Sequence, residues 1–235
     1  MGGILALVVL SLPLAMMAEA RFDLSAWYAA KALAVLCAGA ALVLQGLPAY
    51  HPFSSIGSAN LATAARGTLV ALLAALVGER VGGSVQYVVL AVGTTAAILD
   101  GVDGWLARRS NTSSRFGARF DMETDALLIL TLAVLAWQFD KAGPWVVVSG
   151  VLRYAFVVAG FALPWLRAPL PASLRRKALA VMQTVALLVV MAPFVPRAVS
   201  APVAAVALLC LAASFLIDVM WLRGAAARQS TRASA

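Results

Sequence analysis

Asp100, Asp103, Asp121 and Asp125 are the residues of this chain best suited to chemistry. They mark out the stretch D-G-V-D-G-W-L-A-R-R-S-N-T-S-S-R-F-G-A-R-F-D-M-E-T-D, which holds five of the chain's ten acidic residues. The first two are three positions apart and the last two four apart, spacings that put each pair on one face of a helix. Four carboxylates gathered at two neighbouring helix ends repel one another and protonate in part unless divalent cations neutralise them. Ligation by oxygen alone suits the hard cations Mg2+ or Mn2+, whereas zinc would want His or Cys. Four carboxylates can hold two such ions about 3.5–4 Å apart, the arrangement that clamps a phosphoryl group in an in-line displacement.

The residues between the pairs fit the same chemistry. Gly104 follows Asp103 directly, where a side chain would block close approach of a ligand to the backbone. Ala107 is small and lies one turn after Asp103, and Arg108 offers a guanidinium fork to phosphate oxygens. Gly117, four residues before Asp121, suits close approach of a helix or a ligand. A basic loop with helix-capping carboxylates would account for Arg109 and Glu123, but not for four Asp in phased pairs.

The elements that must position these groups are built for lipid. Of 235 residues, 63% are hydrophobic and only 12% charged, which excludes an ordinary soluble domain. Apolar runs recur at about 3–18, 26–46, 60–78, 85–106, 119–138, 144–165, 177–194 and 199–222. The first contains Pro13, and Ala18-Glu19-Ala20 resembles a cleavage site, but no basic residue precedes it, so a retained helix is expected. Carboxylates at membrane depth cost about 2.5–3.5 kcal/mol each on insertion scales, so the acidic cluster belongs at a helix mouth with partners. The linker between the pairs is short, and the two helices carrying them are expected to be adjacent and antiparallel.

The net charge of +8 does not point to nucleic acid, because the basic residues sort by loop. Arg108, Arg109, Arg115 and Arg119 share one loop, Arg167, Arg175, Arg176 and Lys177 another, and Arg223, Arg228 and Arg232 the C-terminal tail. Alternate loops hold only Arg21, Arg80, Lys141 and Arg197. The positive-inside rule therefore places the acidic loop, the 166–177 loop and the C-terminus in the cytoplasm. Trp105, Trp165 and Trp221 then fall at one interface and Trp27, Trp137 and Trp145 at the other, as aromatic belts should. Cys37 and Cys210 have no metal-ligand spacing around them and read as small buried hydrophobes.

The Pro-, Gly- and Ser-rich stretch 47–58 separates two hydrophobic helices at 1–46 from six later ones over 59–222, followed by a basic tail at 223–235. His51 in that linker reads as an interfacial residue. Asn60, Thr63 and Arg66 recur every third position at the next helix start, where Asn60 suits an N-cap. Arg153 interrupts an apolar helix at mid-span, which demands a partner; Asp218 on the last helix is one candidate.

The acidic segment resembles the signature of the CDP-alcohol phosphatidyltransferases, D-x2-D-G-x2-A-R-x8-G-x3-D-x3-D. Every fixed position is matched, by Asp100, Asp103, Gly104, Ala107, Arg108, Gly117, Asp121 and Asp125. The resemblance implies an all-α polytopic membrane protein whose six-helix core spans about residues 58–222, preceded here by two extra helices. It implies transfer of a phosphatidyl or related group from a CDP-linked lipid to a small alcohol, with release of CMP, in phospholipid synthesis. Asp100 and Asp121 would bridge two Mg2+ or Mn2+ ions, Asp103 would complete one site and Asp125 the other. Asp125 would also be the general base. Gly104, Ala107, Arg108, Ser114 and Gly117 would hold the nucleotide and diphosphate, with Asn60 and Thr63 near the cytidine.

For the acceptor, Arg153 could bind a phosphate together with Lys177 and Gln183, whose spacing resembles phosphatidylglycerophosphate synthases. That pattern departs at Arg176, where a glycine is expected, and at Ala180, where a threonine is. Glycerol 3-phosphate and inositol phosphate are the candidate acceptors. Family likeness further implies a homodimer in a bacterial inner membrane with the active site facing the cytoplasm. A cation-coupled transporter is the alternative from another class, and it would require unwound helices and internal repeats, which the sequence does not display. An intramembrane prenyltransferase would need a second aspartate-rich motif on a separate helix, and there is none.

Overall fold

The computed structural model describes residues 2–50, 58–109, 115–171 and 173–233. Among them run eight α-helices: α1 (Gly2–Phe22), α2 (Tyr28–Tyr50), α3 (Ser58–Ala74), α4 (Gly83–Arg109), α5 (Arg115–Gln138), α6 (Val148–Ala162), α7 (Leu174–Met191) and α8 (Arg197–Ala233). Helices are what such a sequence must form in lipid, because each satisfies its own backbone hydrogen bonds without water. Short 3₁₀ turns opened by Pro144 and Pro164 flank α6 and divide the expected 144–165 run into three pieces.

Among the described side chains, Gly83–Gly101, Pro144–Ala162 and Arg197–Arg228 are long and apolar enough to cross a membrane, and the described stretches Tyr28–Ala41 of α2 and Leu61–Ala74 of α3 are apolar as well. α5 takes Arg115, Arg119, Asp121, Glu123 and Asp125 into its first three turns, and α7 takes Arg175, Arg176 and Lys177 into its first. α8 continues through the basic tail to Ala233, and α2 runs on to Tyr50.

The apolar part of α5 is the centre of the bundle: Leu128, Leu132, Ala133, Leu135 and Ala136 are all buried. Four helices converge on Gly93. A Cβ added there would lie 2.8 Å from Leu188 Cδ2 of α7, 3.5 Å from Leu132 Cδ2 of α5 and 3.9 Å from Leu73 Cδ1 of α3. This layer sets the register of the site. Seven residues along from Gly93, Leu132 and Leu73, toward one common end of the bundle, are Asp100, Asp125 and Arg66. Two helical turns, about 10.5 Å, separate each from the layer.

At the opposite end, α1 and α2 are fastened to the rest. The Glu79 carboxylate accepts hydrogen bonds from Ser25 N (2.8 Å), Ser25 Oγ (2.8 Å) and Lys31 Nζ (2.5 Å). Lys31 also donates to Val77 O at 3.0 Å, and the Tyr28 hydroxyl to Leu72 O at 3.0 Å. Gly78, in the left-handed region at φ 80°, turns the chain there, and its N–H donates to Gln138 Oε1. Ala15, Leu24, Tyr28 and Ala32 belong to the same apolar core as Val70, Val89 and Leu132.

Asp218 is buried in α8 and pairs with Arg175 and Arg176 of α7, the latter at 3.2 Å, while Arg175 Nη1 also donates to Ser214 O at 2.8 Å. The sequence offered Asp218 as a partner for Arg153. The structure corrects this: the two arginines at the start of α7 take Asp218, and Arg153 pairs with Glu123.

Candidate active site

The acidic end of α4 meets the first turns of α5 against α3. Carboxylate oxygens of Asp100, Asp121 and Asp125 lie within 4.8 Å of one another, each residue half-buried. At their centre is Arg66 of α3, whose side chain is wholly buried. Its Nη1 donates to Asp100 Oδ1 at 2.6 Å. Its Nη2 donates to Asp125 Oδ1 at 3.1 Å, to the Asp121 main-chain O at 3.3 Å, and to Asp121 Oδ1. A planar fork with donors on two nitrogens spans three carboxylates at once, with a fixed geometry that a lysine ammonium lacks.

Phasing explains the convergence. Asp121 and Asp125 are one turn apart on α5 and share the face turned to α3, while Asp100 comes from the neighbouring α4. Glu123, between them in sequence, projects about 180° away from their mean direction at 100° per residue. It meets Arg153 of α6 instead, with Arg153 Nε 3.4 Å from Glu123 Oε2 and Nη2 bonded to Oε1. The first turns of α5 therefore carry two charged sites on opposite flanks.

The donor set fits a divalent metal. Three carboxylates and one guanidinium sum to a net charge of −2, all donor atoms are oxygen, and the side chains are 33%, 39% and 35% exposed, open to an entering ion. Such a group of oxygens could hold a divalent cation.

Not every expected site residue can be placed so closely. Asp103, Gly104, Ala107 and Arg108 belong to α4, and Asn60 to α3, but their side chains lie outside the described residues, as does Ser114 altogether. Gly117 is half-buried in the first turn of α5, and Thr63 is buried in α3, one turn before Arg66. Lys177 is exposed at the start of α7. Gln183 is wholly buried in α7, and neither its amide nitrogen nor its amide oxygen has a hydrogen-bond partner. It lies five residues, about 7.5 Å, from the Gly93 layer in the direction of the α7 start.

Arg66 is the member of this cluster that sequence reasoning left off the site. The signal was present: a helix-interior arginine spaced by threes from Asn60 and Thr63, in a chain whose acidic cluster needs a counter-charge. Its reach across to α4 and α5 was not.

Residues 56–218 match the CDP-alcohol phosphatidyltransferase family. A CDP-diacylglycerol--glycerol-3-phosphate 3-phosphatidyltransferase of Bacillus subtilis (strain 168) is 37% identical over 68 residues, 29% of this chain. That match spans 35% of the relative's own length. No solved structure matches the chain.

Proposed function

Because this chain belongs to the CDP-alcohol phosphatidyltransferase family, we propose that it transfers a phosphatidyl or related substituted phosphate group from a CDP-linked lipid to an alcohol, releasing CMP. The observation that carries this reading is the meeting of Asp100, Asp121 and Asp125 around Arg66 at one end of an apolar bundle. A bound pair of Mg2+ or Mn2+ ions would supply Lewis acidity, polarising the diphosphate and neutralising charge on the leaving nucleotide.

The chain's own residues do the rest. Asp100, Asp103, Asp121 and Asp125 hold the cations. Arg66 keeps three of these carboxylates convergent before substrate arrives, so little reorganisation is left for the reaction itself. Gly104, Ala107, Arg108, Ser114 and Gly117 take the nucleotide and diphosphate, and Asn60 and Thr63 flank the cytidine. Asp125 accepts the proton of the acceptor hydroxyl. The alcohol oxygen then forms a bond to the lipid-side phosphorus as the bond from that phosphorus to the CMP oxygen breaks, and CMP leaves with the electron pair.

We place the acceptor near Gln183 and Lys177. An amide buried without partners costs about 1–3 kcal/mol, a cost that a hydroxyl-bearing ligand can relieve. Glycerol 3-phosphate is the first acceptor to test, because it stands in the name of the Bacillus relative. The distribution of basic residues supports an acidic end that faces the cytoplasm of a bacterium.

The test uses membranes containing the protein, CDP-diacylglycerol, and a panel of glycerol 3-phosphate, inositol 1-phosphate, inositol, serine and phosphatidylglycerol. CMP release with one acceptor, lost on Asp125→Asn and reversibly lost on chelation, is the expected result. Turnover that survives Asp125→Asn removes Asp125 from the base role.

A further inference from the structure

Gly150 of α6 packs directly on the backbone of α5. A Cβ there would lie 2.6 Å from Leu130 Cβ and closer still to Leu130 Cα, so the helices touch with no side chain between them. Toward the acidic end, Glu123 is seven residues from Leu130, about 10.5 Å along α5, and Arg153 only three residues from Gly150, about 4.5 Å along α6. Arg153 closes the difference with its long side chain, running along the helix pair toward the polar end as buried arginines do. Its guanidinium thereby meets Glu123 at the depth of Asp121 and Asp125, on the other flank of α5.

We infer that Glu123 and Arg153 are a positioning pair that fixes the rotation of α5, and so the aim of Asp121 and Asp125. The first turns of α5 are gripped from two sides. Arg66 holds Asp121 and Asp125 from α3, and Arg153 holds Glu123 from α6. The contact at Gly150 fixes the distance between the helices, and the buried apolar face of α5 leaves only its charged first turns room for a small roll about the axis. A charge pair two turns away resists that roll. Turning α5 by one residue, 100°, would carry both carboxylates off the face that meets Asp100 and Arg66. Ligand groups need to be held to within about 10–20° for productive geometry, and a rolling helix cannot hold them.

This assigns Arg153 differently from a phosphate-binding role in the acceptor pocket. Its charge is committed to Glu123, as those of Arg175 and Arg176 are to Asp218. A phosphorylated acceptor would have to break that pair, whereas a positioning pair stays intact through the cycle.

The inference rests on the reaction proposed above, and its test separates the two. Purified protein in detergent is titrated with Mn2+, free ion being read by electron paramagnetic resonance, and CMP release is followed in parallel. Wild-type protein that neither binds Mn2+ nor releases CMP would overturn the proposed reaction itself. With wild type active, Glu123→Gln, which preserves shape, and Arg153→Met should each weaken Mn2+ binding about tenfold and lower kcat, with the acceptor KM unchanged. The exchange Glu123→Arg with Arg153→Glu should recover most of the Mn2+ affinity and most of kcat. The inference is overturned if the exchange is no better than the single variants. It is equally overturned if Arg153→Met raises only the acceptor KM while Mn2+ binding and kcat hold, for that is the signature of an acceptor ligand.

Discussion

Replacing Arg66 with methionine tests whether one buried guanidinium lets three aspartates share a site. The substitution keeps much of the side-chain volume and removes bonds to Asp100 at 2.6 Å, to Asp125 at 3.1 Å and to Asp121. The described charge of the cluster moves from −2 to −3. Taking one partner from a buried ion pair costs about 3–5 kcal/mol. The three carboxylates are each about one-third exposed, so water offsets part of this and the lower end, ~3 kcal/mol, is the expected loss. That is roughly a hundredfold shift in the unfolding equilibrium. Unfolding of purified protein in mixed detergent and SDS measures it, without metal and with saturating Mn2+. The cation should narrow the gap between variant and wild type, because it takes over the missing counter-charge. Arg66→Lys should fall between the two, because an ammonium keeps the charge but lacks the planar fork that spans these three carboxylates. A methionine variant as stable as wild type, or a deficit indifferent to Mn2+, would refute the reasoning.

Three further outcomes are expected. Gln183→Leu should stabilise the bundle by about 1 kcal/mol, since it removes an unpaired buried amide, yet raise the acceptor KM while leaving the KM for the CDP-lipid alone. Unaltered acceptor kinetics would take Gln183 out of the pocket. Gly150→Ala should cost about 1–3 kcal/mol through overpacking on the Leu130 backbone, whereas Gly39→Ala, with nothing within 4 Å of the new Cβ, should be neutral or stabilising in the same melting assay. For Glu79, burial pushes the carboxyl up, but hydrogen bonds from Lys31 and Ser25 outweigh it and hold it below its ordinary value of 4.5. A carboxyl lowered in the folded state lends stability that is present above the unfolded value and lost as pH falls through the folded one. Acidification below 4.5 should therefore destabilise wild type more steeply than Glu79→Gln, and superimposable pH profiles would contradict the assignment.

What could be read from the sequence was whatever depends on spacing along one helix. Asp121 and Asp125 had to share a face, and the interleaved Gly, Ala and Arg carried the family resemblance, because α-helical phase is a local property. Apolar runs likewise announced the helices, although α5 and α7 each begin a few residues earlier than their runs and take charged residues into their first turns. Pairings between helices were not legible. Asp218 was a reasonable partner for Arg153 on charge alone, but choosing among Glu123, Asp218 and the arginines of α7 depends on which helix lies beside which. Arg66 was misjudged for the same reason: its spacing from Thr63 is visible, while its reach to α4 and α5 exists only in the packed bundle. The departure at Arg176, where a glycine was expected, also gained a reason there, since its side chain binds Asp218 and the Pro171 carbonyl.

The clasp at Glu79 bears on how this protein could be dissected. A biochemist seeking a minimal catalytic fragment would cut in the polar stretch near residues 51–57 and discard α1 and α2. Doing so would strip Ser25 and Lys31 from a buried carboxylate and leave Glu79, in the loop joining α3 to α4, without the bonds that favour its ionised form. Those are the helices that deliver Arg66 and Asp100 to the far end of the bundle. A trimmed protein would thus carry a wound at the end most distant from the aspartate cluster, and the amputation should be paired with Glu79→Leu if the fragment is to hold its shape.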